Sequence, residues 1–136
     1  MLKSRYPVRV EWGDCDAAAI TFYPNYFAWF DASSWHLFES AGYRAGPLMK
    51  EQGVYVPLVE ADAKFKRPGF LGDELMVESF VEEWRDKVFR VRHIVRRGEE
   101  VLLEGTELRC WAKPHPDDAQ RFIALPIPTE FRAALS

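Results

Sequence analysis

One long helical segment precedes a chain whose remaining patterns are those of strands. Residues 24–41 place apolar side chains along one broad arc of a helix, with Pro24 at the start and Gly42 just beyond the end. After a short link, apolar and polar residues alternate from residue 54 onward, as in half-buried strands. The predicted strands are residues 54–66, 74–84, 88–97, 101–112 and 121–125. One helix followed by antiparallel strands predicts an α+β domain in which the sheet wraps over the helix.

The aromatic content predicts an extensive apolar surface that must be covered. Aromatic residues make up 15% of the 136 residues, which indicates a thick core, an apolar pocket or a subunit interface. The predicted helix also carries Trp29, Ala32 and His36 on the side away from its apolar arc, so we expect burial on more than one face. Because an antiparallel sheet also has edges to cover, we predict a homodimer or a larger assembly such as a homotetramer.

Charge, cysteine and histidine content argue against several classes of function. A net charge of −3 disfavours a general nucleic-acid or membrane-surface role, and no apolar run is long enough to span a bilayer. The basic N-terminus lacks the apolar run of a signal peptide. Two cysteines suit a reducing compartment, so we expect a cytoplasmic protein. The three histidines have no metal-ligand spacing, and we expect neither a metal nor a redox cofactor.

The segment before the helix contains the strongest candidate for a catalytic site. Residues 8–12 alternate and predict a strand, the strand breaks at Gly13, and the acidic loop Asp14-Cys15-Asp16 leads toward the helix. Unpaired N–H groups and the helix dipole favour negative charge at a helix N-terminus. A carboxylate beside such donors is a workable hydrolase arrangement. Spacing alone, however, favours a structural role for Asp16 as an N-cap or Asx-turn residue.

Three motifs together resemble one known family. The run Cys15-Asp-Ala-Ala-Ala-Ile-Thr-Phe-Tyr-Pro-Asn-Tyr26 resembles the active-site signature of the 4-hydroxybenzoyl-CoA thioesterase family, within the hot-dog superfamily. The helix motif Trp29-x-Asp31-Ala32-x-Ser34 and the hairpin motif Glu83-Trp84-Arg85-x-Lys87-x-Phe89 are similar as well. The resemblance implies a single hot-dog thioesterase domain over residues 1–136. The family usually has glycine where this chain has Ala19, so the loop there needs either ordinary dihedral angles or some strain.

The resemblance implies an acyl-CoA thioesterase that releases a free acid and coenzyme A, with an aromatic acyl group such as hydroxybenzoyl as the expected substrate. It implies that Asp16 acts as nucleophile or general base, and that backbone N–H groups near Tyr23 hold the oxyanion. It also implies that Asp31 accepts a hydrogen bond from a ring hydroxyl, with Phe27 and Trp35 beside it as substrate contacts. The alternative is that Asp31 is a helix-edge carboxylate that reaches water or an arginine.

Several other residues have both a functional and a structural interpretation. Arg85 and Lys87 are predicted to bind the phosphates of coenzyme A, unless they belong to an ordinary solvated strand face. Glu39 on the helix is a weaker rival to Asp16, and both Cys15 and Cys110 are expected to be small buried residues. Two other functions stay open. They are a hot-dog dehydratase, which would pair a histidine with an acid, and a module that binds acyl-CoA without catalysis.

Overall fold

An antiparallel sheet of five strands packs one face against the longest helix of the chain. The computed structural model describes residues 1–136. The strands are β1 Ser4–Arg9, β2 Leu58–Phe65, β3 Glu74–Trp84, β4 Val88–Arg97, β5 Glu100–Cys110, β6 Ala112–His115 and β7 Asp118–Ala124. The helices are α1 Pro24–Ser40, α2 Ala45–Gln52 and α3 Thr129–Leu135, and a 3₁₀ turn spans Trp12–Asp14. The main sheet has the order β1-β3-β4-β5-β2, while β6 and β7 form a separate hairpin. The predicted α+β class is confirmed.

Helix α1 begins at Pro24, as predicted, and ends at Ser40, one residue before the predicted end. Pro24 occupies the first turn, where a missing N–H costs nothing. At the other end, Gly42 has a φ of 93°, which glycine adopts without strain. The buried side chains recur every three or four residues and so form one face: Tyr26, Phe30, Ser33, Ser34, Leu37 and Phe38. Two of these six residues are serines, so the helix brings polar groups into the core.

Gly105 of β5 lies directly against Phe30 of helix α1. A Cβ at this position would lie 2.5 Å from the backbone oxygen of Asp62 and would collide with the ring of Phe30. The ring of Phe30 stacks instead on His93 of β4, with the centroids 4.6 Å apart and the planes 10° from parallel. The absence of a side chain at Gly105 therefore leaves the space that the ring of Phe30 occupies.

Strand β2 forms one edge of the main sheet and is largely exposed. It pairs only with β5, so its outer side presents unpaired backbone groups. Leu58, Val59 and Phe65 are each about half exposed, between 50% and 55%. The unpaired backbone groups of β2, with apolar side chains at both ends of the strand, offer a surface on which another chain can add.

Several predicted boundaries are wrong. The link after Gly42 contains α2, because Pro47 lies in the first turn, where no N–H is needed, and Gly53 ends the helix with a φ of 64°. The first strand stops at Arg9, and Trp12 lies in the 3₁₀ turn with 71% of its surface exposed. Strand β2 begins at residue 58, not 54, because Tyr55 makes only an isolated bridge to Ala112.

The C-terminal region differs from the prediction as well. The predicted strand over residues 101–112 divides at Trp111 into β5 and β6. The last strand begins at residue 118, not 121, and the unpredicted helix α3 follows it. Phe131 and Leu135 of α3 are fully buried, so this helix completes the core. None of the three helices combines the length and apolar character that crossing a bilayer requires.

Candidate active site

The acidic loop after β1 is fastened to the start of α1 through Asp14. The backbone oxygen of Asp14 accepts hydrogen bonds from the Phe22 N–H and from the Asn25 side-chain amide, each at 2.8 Å. Its carboxylate accepts the Glu11 N–H at 2.9 Å. These bonds hold the loop against the helix N-terminus, as the sequence predicts, and they give Asp14 a structural role.

Asp16 forms an Asx turn with one carboxylate oxygen and leaves the other oxygen available. Oδ1 accepts the Ala18 N–H at 2.9 Å, so the Asx turn considered from the sequence is present. Oδ2 accepts no hydrogen bond from the protein, and the residue is exposed. The turn therefore orients the carboxylate and leaves one oxygen free to react.

The backbone N–H of Tyr23 is a free donor at the positive end of α1. The neighbouring N–H groups of Phe22 and Asn25 bond to Asp14 and Phe22 oxygens, and Pro24 has no N–H. No acceptor in the protein binds the Tyr23 N–H. A free N–H in this place can polarise a carbonyl or hold an oxyanion.

The loop between Asp16 and Tyr23 is held in a strained conformation. Ala19 has a φ of 61°, the only positive φ outside glycine. Its backbone oxygen accepts the Leu71 N–H at 3.1 Å, and Thr21 donates its N–H to Gly69 at 2.8 Å. Because these bonds fix the loop from the opposite side, the unfavourable dihedral persists. The sequence predicted either ordinary dihedral angles or strain at Ala19, and the structure shows strain.

Phe27, Asp31 and Trp35 form one stripe on α1. They are spaced four residues apart, so they share a helix face. Phe27 and Trp35 are half-buried, whereas the Asp31 side chain is 61% exposed. Asp31 Oδ1 accepts a hydrogen bond from Arg109 Nη2 at 2.6 Å, and Oδ2 has no partner in the protein. The structure thus contains the arginine contact that the sequence left open, together with a free oxygen on the same carboxylate.

A buried polar network lies beneath this stripe, and sequence reasoning missed it. The side chain of Arg109 is only 3% exposed. Its Nε and Nη2 donate to the two oxygens of Glu107 at 3.1 and 3.0 Å, and its Nη1 donates to the Val56 carbonyl at 3.0 Å. Ser34 also donates to Glu107. The bidentate pair satisfies both charges inside the protein.

The network continues from Glu107 to His93. The imidazole Nε2 lies 3.1 Å from Glu107 Oε1, and Nδ1 lies 2.6 Å from Ser79 Oγ. Since an ionised carboxylate can only accept, Nε2 carries the hydrogen, and Nδ1 accepts the Ser79 hydroxyl. Ser79 in turn accepts from Ser33 at 2.6 Å. The only feature of the sequence that could have indicated this network is the presence of polar residues at inward-facing positions of β4, β5 and α1.

Burial and charge set the ionisation of this network. Burial lowers the pKa of His93, so the imidazole is neutral at pH 7. Burial also raises the pKa of Glu107, but the hydrogen bond from His93 and the charge of Arg109 outweigh that effect and lower the pKa to about 2. The Glu107 and Arg109 charges therefore cancel, and Asp31 faces a neutral pair.

The predicted coenzyme A residues lie far from Asp16 within one chain. Arg85 and Lys87 occupy the β3–β4 turn, whereas Glu74 at the start of β3 pairs with Arg9, near the acidic loop. A strand rises about 3.3 Å per residue, so roughly 33 Å of β3 separates the two regions. Arg85 also pairs with Glu83 at 3.2 Å. A single chain does not bring these residues together.

The remaining candidates have structural surroundings. Glu39 pairs with Arg44 at 3.0 Å. Burial and the negative charges of Asp14 and Asp16 raise the pKa of the Cys15 thiol. Burial likewise raises the pKa of the Cys110 thiol. Neither thiol is therefore predisposed to act as a thiolate. The histidine, cysteine and acidic side chains form no group of three that could hold a metal ion.

Two cavities of the chain lie against strands of the main sheet. A cavity of about 540 Å³ is lined by residues of β1, β3 and β4, including Arg5, Glu78 and Arg96. A second, of about 350 Å³, is lined only by polar residues such as Glu82 and Arg92. Asp16 lines neither of them.

Comparison with known proteins identifies the family. The profile of the thioesterase-like superfamily matches residues 10–135. The chain is 33% identical over 130 residues to 4-hydroxybenzoyl-CoA thioesterase of Pseudomonas sp. (strain CBS-3), covering 90% of each chain. A solved mutant of 4-hydroxybenzoyl-CoA thioesterase in complex with 4-hydroxybenzoyl-CoA superposes with a TM-score of 0.89 at 30% identity, over 98% of this chain and 99% of that one.

A second solved relative gives the same result. A gentisyl-coenzyme A thioesterase superposes with a TM-score of 0.83 at 32% identity, over 97% of this chain and 98% of that one. These matches confirm both the hot-dog fold and the resemblance drawn from the three motifs. The chain belongs to the thioesterase-like superfamily of hot-dog proteins, in the family of 4-hydroxybenzoyl-CoA thioesterase.

Proposed function

We propose that this protein hydrolyses aryl-CoA thioesters to a free aromatic acid and coenzyme A. The observation that carries the proposal is the free Oδ2 of Asp16 on a loop fastened to the helix start that presents the free Tyr23 N–H. Relatives support the chemistry, since one at 33% identity is named a 4-hydroxybenzoyl-CoA thioesterase and one at 32% a gentisyl-coenzyme A thioesterase. The proposed unit is one hot-dog thioesterase domain over residues 1–136.

In the proposed reaction, the thioester carbonyl oxygen accepts the Tyr23 N–H. The Asp16 carboxylate then attacks the carbonyl carbon, or takes a proton from a water molecule that does so. The C–S bond breaks and the thiolate of coenzyme A leaves. If Asp16 is the nucleophile, a water molecule then hydrolyses the anhydride between Asp16 and the acyl group, which releases the acid and regenerates the carboxylate. If Asp16 is the base, attack by the water gives the acid directly. The helix dipole and the N–H stabilise the negative charge that develops on the oxygen. The chemistry needs no metal or redox cofactor, so we propose none.

The acyl group is proposed to lie along the stripe of α1 formed by Phe27, Asp31 and Trp35. The two aromatic side chains offer apolar contact to a ring. The free Oδ2 of Asp31 can accept a hydrogen bond from a ring hydroxyl, which favours hydroxylated aryl groups over plain ones. The stripe is open to solvent in one chain, so a second surface has to cover it.

We propose that a second copy of the chain supplies that surface, in a homodimer or homotetramer. The exposed edge of β2 offers unpaired backbone groups and the side chains of Leu58, Val59 and Phe65. Because roughly 33 Å of β3 separates the acidic loop from the β3–β4 turn, we propose that Arg85 and Lys87 bind the coenzyme A phosphates of that site from another copy. We propose the cytoplasm as the compartment and expect no nucleic-acid or membrane partner.

The two rival functions are less well supported. A dehydratase needs a histidine paired with an acid that the substrate can reach. His93 and Glu107 form such a pair, but His93 is fully buried beneath Phe30 and both of its nitrogens are hydrogen-bonded. A module that only binds acyl-CoA has no need of a free, oriented carboxylate on a loop fastened to a helix start that presents a free N–H.

Release of free thiol from a panel of acyl-CoA esters tests the proposal. The panel contains 4-hydroxybenzoyl-, benzoyl-, acetyl- and palmitoyl-CoA, and the hydroxybenzoyl ester should be hydrolysed with the highest kcat/KM. Binding of the esters without thiol release would indicate the non-catalytic module. Formation of an enoyl product from a 3-hydroxyacyl-CoA, without hydrolysis, would indicate the dehydratase.

A further inference from the structure

The contact between Arg109 and Asp31 joins a buried charge to an exposed one. Arg109 is 3% exposed and Asp31 is 61% exposed, and Nη2 donates to Oδ1 at 2.6 Å. The other guanidinium hydrogen bonds reach Glu107 and the Val56 carbonyl, so the arginine cannot swing out without breaking them. Asp31 is thus held by a fixed donor and not by a mobile surface residue.

Resting on the proposed function, we propose that Arg109 is a positioning residue for hydroxyaryl specificity. It holds one oxygen of Asp31 so that the other, Oδ2, points to the ring hydroxyl of the substrate. Without this bond, the exposed Asp31 side chain would sample several rotamers, and the hydrogen bond to the substrate would have to order it.

Glu107 has a distinct part in this arrangement. It forms a bidentate pair with Arg109 and neutralises the guanidinium charge. Asp31 therefore receives a directed hydrogen bond without facing an unbalanced positive charge that would weaken it as an acceptor. Replacement of Glu107 by glutamine would leave that positive charge for Asp31 alone and reduce its attraction for the substrate hydroxyl.

The readout is the ratio of kcat/KM for 4-hydroxybenzoyl-CoA to kcat/KM for benzoyl-CoA. Arg109→Lys keeps a positive charge but loses the fork that binds Glu107 and Asp31 together. We expect this variant to lower the ratio roughly tenfold, because that factor corresponds to the free energy of about one hydrogen bond to a charged group. Hydrolysis of benzoyl-CoA, which has no ring hydroxyl, should change little. A residue with only a structural role would reduce both rates in proportion.

A double-mutant cycle with Asp31→Asn tests whether Arg109 affects the ratio through Asp31 or by another route. If Arg109 acts through Asp31, Arg109→Lys should leave the ratio unchanged in the Asp31→Asn background. Glu107→Gln provides a second route and should also lower the ratio, even if Arg109→Lys does not fold.

The outcomes are distinguishable. A ratio that neither variant alters, or that Arg109→Lys lowers equally in the presence and absence of Asp31, overturns the inference alone. Absence of hydrolysis of both esters by the unaltered protein overturns the proposed function, and the inference with it. If neither Arg109→Lys nor Glu107→Gln folds, the network serves stability, and its assignment to specificity is withdrawn.

Discussion

Asp16 accepts the Ala18 N–H at 2.9 Å through Oδ1 and leaves Oδ2 without a partner in the protein. Asparagine can keep the first bond through its amide oxygen but cannot serve as nucleophile or base. We therefore expect Asp16→Asn to change the free energy of unfolding by no more than about 0.5 kcal/mol. Thiol release from 4-hydroxybenzoyl-CoA should fall by roughly 10² to 10⁴-fold. Steady-state kinetics and urea denaturation measure the two effects.

The matched control is Asp14→Asn on the same loop. The carboxylate of Asp14 accepts the Glu11 N–H, and its backbone oxygen holds Phe22 and Asn25. An asparagine can retain these bonds, so most of the turnover should remain. Near-normal turnover in Asp16→Asn would remove that residue from the mechanism, and equal losses in the two variants would indicate a general effect on the loop.

Ala19 is predicted to lower the stability of the loop, because its φ of 61° is unfavourable for any residue with a Cβ. Ala19→Gly removes about 1–2 kcal/mol of strain and adds some freedom to the unfolded chain. We expect a net stabilisation of roughly 0.5–1 kcal/mol, seen as a higher urea midpoint. Ala17→Gly is the control, because Ala17 has no positive φ and glycine there should destabilise. Stabilisation by both substitutions would contradict the strain at Ala19.

The exposed edge of β2 predicts that assembly and activity are lost together. Val59 is 55% exposed on this edge, and an aspartate there would bring two like charges together across a symmetric contact. We expect Val59→Asp to raise the dissociation constant of the assembly by tenfold or more and to lower thiol release in parallel. Light scattering during size-exclusion chromatography measures the assembly. Met49→Asp, on the partly exposed helix α2, should change neither, and a fully active monomer would refute the shared site.

Local signals explain which parts of this fold could be predicted. Pro24, Gly42 and the apolar arc between them determine α1 through interactions within a few residues. The link at residues 42–53 was predicted to be irregular because a Gly-Pro pair such as Gly46-Pro47 is typical of a turn. In the structure Pro47 lies instead in the first turn of α2, where a proline is tolerated. Alternation identified β3 and β4 at their observed bounds because each has one buried face.

The polar network was beyond such local signals. His93, Glu107 and Arg109 meet only through the register of β4 on β5, and Asp31 joins them 78 residues before Arg109 in the chain. As single residues they only weaken the apolar pattern of their strands, so the sequence alone did not single them out as a group. The separation of Asp16 from Arg85 likewise follows from the antiparallel pairing of β1 and β3 and not from any motif.

The buried pair of His93 and Glu107 predicts that the protein loses stability in acid. Both groups have a lowered pKa in the folded state, so the unfolded chain binds more protons, and stability decreases as the pH falls. The loss through His93 begins below its ordinary value of 6.5, and the loss through Glu107 follows between 4.5 and about 2. The free energy of unfolding from urea denaturation should decrease as the pH falls from 7 to 5, and the slope of this decrease reports proton uptake by His93 in the unfolded chain. His93→Gln should flatten this slope, whereas His36→Gln, at an exposed position, should preserve it. An equal slope in the His93 variant would mean that the buried imidazole does not control acid stability.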